Sequence, residues 1–102
     1  MADMQQVEKT IFKAVDDLNQ LLLSSQRLTK ASGTVLSGDD SALDSLGLVN
    51  LIVATERRVE EDLGVSIVLV DQQSMSMKDS PFRTLGTMIR YTAQLLEKKK
   101  ES

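Results

Sequence analysis

The chain has 102 residues, 41% of them hydrophobic and 26% charged, with a formal charge of −3. It contains no Cys and no His, which removes a thiolate nucleophile, a disulfide framework, and the commonest general base and imidazole ligand. Ahead of the tail Lys98, Lys99 and Lys100, residues 1–97 hold 14 acids against 9 bases, a net of −5; this acidic body argues against a nucleic-acid partner.

The length fits one domain, 1–102, with a core at about 4–97 and a basic tail from 98 to 102. The first residues are polar and acidic rather than leader-like. No apolar run is long enough to span a bilayer, so no stable membrane insertion is expected and the default location is cytoplasmic. Only Phe12, Phe82 and Tyr91 are aromatic. Leu, Ile, Val and Met must therefore fill the interior, which suits packed helices.

Val7, Ile11, Val15, Leu18 and Leu22 recur at spacings of three and four and predict a helix from about Asp3 to Leu23. From Ser24 to Asp44 the periodicity fades into Ser, Thr, Gly and Asp. Leu28, Val35, Leu36 and Leu43 are the apolar anchors of this long loop, and a loop of that length in so small a domain usually carries function or disorder. A second helix is expected from Ser45 to Leu63 on the stripe Leu48, Leu51, Ile52, Thr55, Val59 and Leu63. Gly64 is its natural C-cap. The run Val65–Val70 lacks a partner strand and reads as a buried connector. Asp71 then caps a short third helix through about Met75. A last helix starts at Ser80 or Thr84, with Pro81 suited to a first turn. It runs to about Lys98 on Leu85, Met88, Ile89, Ala93 and Leu96. Gly86 weakens its first turn by roughly 1 kcal/mol relative to Ala. Met75, Met77 and Met88 are candidates for edging an apolar pocket, with ordinary packing as the alternative. The expected fold is all-α: a small four-helix bundle with a long loop between helices 1 and 2 and a short third helix.

The residues that carry chemistry lie where the loop meets the second helix. Asp44-Ser45-Leu46 is by itself no more than a helix start, since Asp and Ser are common caps. Its wider setting is Leu43-Asp44-Ser45-Leu46-Gly47-Leu48-Val49-Asn50-Leu51, after a long loop and ahead of the last helix and its Ser80-Pro81-Phe82-Arg83-Thr84 approach. From about Val7 to Leu96 this layout resembles the acyl carrier protein family and its peptidyl and D-alanyl carrier relatives.

The resemblance implies a protein that is not itself an enzyme. Ser45 would receive covalent 4′-phosphopantetheine from coenzyme A, and the arm would supply the thiol that the chain lacks. Asp44 would help a phosphopantetheinyl transferase and its metal grip the site, and Leu46 would contact partner enzymes or fill core. Gly47 leaves room for the arm, while Val49 and Asn50 line the partner-facing side. The implied partners are the transferase, an acyl ligase or acyltransferase, and downstream acyl-using enzymes, serving a monomeric carrier of fatty-acid, polyketide or another specialised pathway. The helix departs from the acidic face usual in the fatty-acid carriers: Gly47 and Asn50 are neutral, and Arg57 and Arg58 follow Glu56. Surface charge sets partner choice, so a dedicated pathway is expected. Two other readings stay open: a cofactor-free helical interaction module, and an aminoacyl or peptidyl carrier of the same fold. No pairing of nucleophile with base and no metal-ligand spacing points to catalysis.

Overall fold

A computed structural model describes residues 4–22, 27–37, 43–70 and 80–101. The architecture is all-helical. Its described elements are α1 (Met4–Asn19), α2 (Ser45–Leu63) and α3 (Leu85–Glu101). The short helix expected from Asp71 to Met75 lies outside the described residues, as do Met75 and Met77, so three helices rather than four stand among those described. Met88 is a fully buried core residue of α3.

Helix α1 is the hub and packs on both α2 and α3. Its stripe Val7, Ile11, Val15 and Leu18 is buried, with Thr10 and Ala14 filling between. Helix α2 contributes Leu51, Ile52, Thr55 and Val59, and α3 contributes Leu85, Met88, Ile89 and Leu96, joined by Tyr91 and Thr92. The two buried hydroxyls bond back within their own helices: Thr55 Oγ1 donates to Leu51 O and Thr92 Oγ1 to Met88 O, each at 2.8 Å. Polar side chains thereby enter the core without an unmet hydrogen bond. Phe82 and Tyr91 meet edge to face, with ring centroids 6.3 Å apart, the geometry that the ring quadrupoles favour.

Helix α1 stops at Asn19, four residues before the expected end at Leu23. The side chain of Asn19 acts as a short length of backbone. Leu28 N–H donates to its Oδ1 at 2.8 Å, and its Nδ2 donates to Leu28 O at 3.0 Å. Arg27 Nε donates to Asn19 O at 3.0 Å. The carbonyls of the last turn are thus met from outside the helix or by three-residue turns such as Leu21 N–H to Leu18 O, the usual tightening at a helix end.

The long loop is ordered by the start of α3. Leu36 N–H donates to Arg83 O, Leu85 N–H to Thr34 O and Gly86 N–H to Ser32 O, each at 2.8 Å. Val35 and Thr84 form an antiparallel bridge. Leu36 is fully buried and Leu28 nearly so. The last helix begins after Thr84 rather than at Ser80. Thr84 Oγ1 accepts from Thr87 N–H and Thr87 Oγ1 from Thr84 N–H, both at 3.1 Å, a reciprocal capping box. Ser80 Oγ instead accepts from Phe82 N–H at 3.1 Å, so Ser80-Pro81 form a turn ahead of the helix.

Residues 64–70 form no strand. Their side chains still alternate, with Ile67 and Leu69 buried and Ser66, Val68 and Val70 exposed. Leu69 N–H donates to Glu56 Oε2 at 2.8 Å, which fastens this connector to α2.

Gly86 has a specific steric reason. A Cβ at that position would lie 2.8 Å from the backbone oxygen of Ser32, and backbone cannot swing away as a side-chain tip can. Helix propensity alone favours Ala by about 1 kcal/mol; overpacking of this kind costs about 1–3 kcal/mol. Gly86→Ala should therefore lower stability by about 1–2 kcal/mol net. Urea unfolding followed by circular dichroism reads the difference, and a stabilised variant would contradict the close approach.

Candidate functional site

The start of α2 is built from its cap. Asp44 is extended and its Oδ1 accepts from Gly47 N–H at 2.7 Å. Leu48 N–H then closes the first intrahelical bond, to Asp44 O, at 3.0 Å. Ser45 is the first helical residue. A Cβ on Gly47 would stand 3.1 Å from Leu43 Cδ2 and 3.2 Å from Asp44 Oδ1, so the bare Gly47 lets the carboxylate fold back over the first turn. At the other end Gly64, with φ of 68°, donates its N–H to Glu60 O and closes the helix in left-handed geometry.

The two described capped starts differ. At α3, the amides of Leu85, Gly86 and Thr87 all have acceptors: two loop carbonyls and a cap hydroxyl. At α2, Asp44 takes the amide of Gly47, while the amide of Leu46 has no acceptor among the described residues. First-turn amides and the helix dipole favour an anion at such an end. The α3 terminus is spent on the fold; the α2 terminus is not.

The structure separates the remaining predicted residues. Leu46 is 68% exposed and takes no part in the core. Asp44, Val49, Asn50 and Arg57 are also exposed. Glu56 is half-buried and its carboxylate holds Leu69 N–H, so it serves the connector. Arg57 and its neighbour Arg58 part ways. Arg58 forms a two-pronged pair with Asp17 of α1, Nε to Oδ2 and Nη2 to Oδ1, both at 2.7 Å. Its Nη1 also lies 4.0 Å from Glu61 Oε2. Arg57 makes no ion pair or hydrogen bond among the described residues.

Sequence reading missed the pairing of Arg58 with Asp17, because 41 residues separate the partners. The only available signal was that both positions flank buried stripes, which brings them to the α1–α2 seam. Beside that seam lies a groove of about 480 Å³ lined by Leu18, Leu21, Asn50, Val53 and Arg57, with the Asp17–Arg58 pair along its edge. Among the described residues no cluster of three Asp or Glu side chains is placed to hold a metal ion, and no helix is long and apolar enough to cross a membrane.

Two outcomes follow from this electrostatics. The Arg58 guanidinium holds the Asp17 carboxyl below its ordinary range, chiefly by its hydrogen bonds, with the charges of Arg58 and Arg57 adding to the effect against the cost of burial. A carboxylate with a depressed folded pKa stabilises the fold above its unfolded value, near ~3.9, and loses that contribution as pH falls through the folded value. The stability gap between wild type and Asp17→Asn, read from urea midpoints, should therefore be constant above about pH 5 and close in more acidic solution. A gap unchanged down to pH 2 would contradict the pairing. Asp44→Ala should cost about 1 kcal/mol through loss of the cap, and Asp44→Asn much less, because an amide oxygen can still accept from Gly47 N–H; thermal melts of the two variants compare them.

No protein-family model, no curated protein and no solved structure matches this chain.

Proposed function

We propose that the chain is an acyl carrier: a helical scaffold that presents a group as a thioester on 4′-phosphopantetheine joined to Ser45. The observation that carries this reading is the open start of α2. Ser45 occupies the first helical position behind an exposed Asp44 cap, and the terminus keeps at least one unsatisfied amide while that of α3 is closed by the loop. A phosphodiester on Ser45 would be an anion at a helix N-terminus, where amide dipoles stabilise it. Transfer from coenzyme A forms the Ser45 Oγ–phosphorus bond and breaks the pyrophosphate link, with 3′,5′-adenosine bisphosphate leaving. The Ser45 proton passes to a base of the transferase, so the carrier needs none of its own.

The order helix, long loop, helix opening at Asp-Ser-Leu, connector and last helix is also the order of the carrier family that the sequence resembles. On this reading a further short helix falls within residues 71–79. The partners are a phosphopantetheinyl transferase, an acyl ligase or acyltransferase, and the enzymes that use the loaded group. An aminoacyl or peptidyl cargo would use the same Ser45 chemistry. A cofactor-free interaction module draws on a separate observation, the apolar exposed face of α2, and predicts an unmodified Ser45.

Incubation with a broad-specificity phosphopantetheinyl transferase, coenzyme A and Mg²⁺, followed by intact-mass measurement, tests the reading. Wild type should gain one phosphopantetheine and Ser45→Ala none. No gain with several such transferases would leave Asp44-Ser45 as a helix cap alone.

A further inference from the structure

The outward face of α2 has an unusual composition over its first three turns. Between Leu46 and Arg57 the exposed side chains are Leu46, Val49, Asn50, Val53 and Arg57. Three are apolar, one is an amide and one is a cation. A helix that only meets water normally carries charges on that side. Here the inward face is already satisfied by Leu51, Ile52, Thr55 and Val59, so the second apolar stripe is not core. Val49 and Val53 are 52% and 47% exposed, and Leu21, across the α1–α2 groove, is 77% exposed. Positions 46, 49, 53 and 57 follow spacings of three and four, so they share one face. At 1.5 Å per residue the stripe runs about 16 Å along the helix.

Its charge is as definite as its shape. Glu56 is committed to Leu69 N–H, and Arg58 to Asp17. Arg57 is therefore the one exposed charge between Leu46 and Arg57; the next carboxylates, Glu60 and Glu61, come a turn later. The patch is too small for a stable dimer, which buries about 800 Å² on each partner, and fits a transient encounter.

We propose that the enzyme acting at Ser45 docks on this stripe with an amphipathic helix. Its apolar residues would cover Leu46, Val49, Val53 and Leu21, and a carboxylate would meet Arg57. This rests on the Ser45 reading and adds the sign of the partner's charge, which is acidic rather than basic. The stripe begins one residue from Ser45, so a partner seated on it has the attachment point at the end of its footprint. Apolar contact supplies the adhesion, and the single cation sets register and excludes basic surfaces.

The test uses the broad-specificity phosphopantetheinyl transferase as the probe and measures initial rates of Ser45 loading against carrier concentration. Variants are Val53→Glu, Arg57→Glu and Arg57→Lys, with Arg90→Glu on the exposed face of α3 as the charge-matched control; Arg58 is left intact so the α1–α2 seam survives. Val53→Glu and Arg57→Glu should each raise KM about tenfold with kcat and final extent of loading unchanged. Arg57→Lys and Arg90→Glu should stay near wild type. Equal KM for all four, with normal loading, overturns the docking surface while Ser45 modification stands. A lower KM for Arg57→Glu means a basic partner and overturns the assigned sign. Absence of loading in wild type removes the Ser45 reading and this proposal with it. Sedimentation of the unmodified protein closes the remaining route: dimerisation abolished by Val53→Glu would give the stripe to a second copy and overturn the proposal.

Discussion

Two amide groups at the start of α3 donate to carbonyls more than fifty residues earlier, Leu85 N–H to Thr34 O and Gly86 N–H to Ser32 O. The rest of the architecture depends on that junction. A helix start leaves amides without intrahelical acceptors, and an irregular loop leaves carbonyls without donors. Each solves the other's problem here. The approach is close enough that no Cβ fits at Gly86, so a residue that looks like a weak point in a helix is what allows the loop to lie down. With the loop seated, Leu36 reaches the core and the chain is directed back towards Leu43 and the start of α2.

The same accounting explains why the two helix starts differ in character. The first turn of α3 is spent on the loop and on the Thr84–Thr87 box. The first turn of α2 is capped only by Asp44. Helix α1 stands between them and packs on both partners. The α1–α2 seam is closed by the Asp17–Arg58 fork, with Lys13 and Asp62 adding a pair at 3.0 Å. Such exposed pairs contribute modestly to stability. Their larger effect is on composition of the surface: they remove Arg58 from the set of charges that face outward and leave Arg57 alone.

Much of the fold was legible in the chain itself. The α1, α2 and α3 stripes name nearly all of the buried helix positions, because apolar periodicity and burial have one cause. Both ends of α2, Ser45 and Leu63, were readable from Asp44 and Gly64, whose side-chain chemistry and backbone freedom act within one turn. Elsewhere local signals competed. Pro81 argued for a helix start, but Ser80 turned the chain first and Thr84 had a reciprocal partner. Leu22 continued the α1 stripe, but Asn19 found Leu28. The short helix after Asp71 falls outside the described residues.

By itself, then, the sequence determined the helical class, the buried stripes, the caps of α2 and the candidate attachment residue Ser45, since each rests on interactions spanning a few residues. Only the tertiary structure decided which polar groups are spent inside the fold. Glu56, Arg57 and Arg58 are adjacent and equally charged in print, yet one holds Leu69, one is exposed and one is locked to Asp17. Likewise Leu46 read equally as core or contact until its exposure was known. The reason is physical: a side chain's periodicity says which way it points, but what it meets there depends on chain that comes from elsewhere.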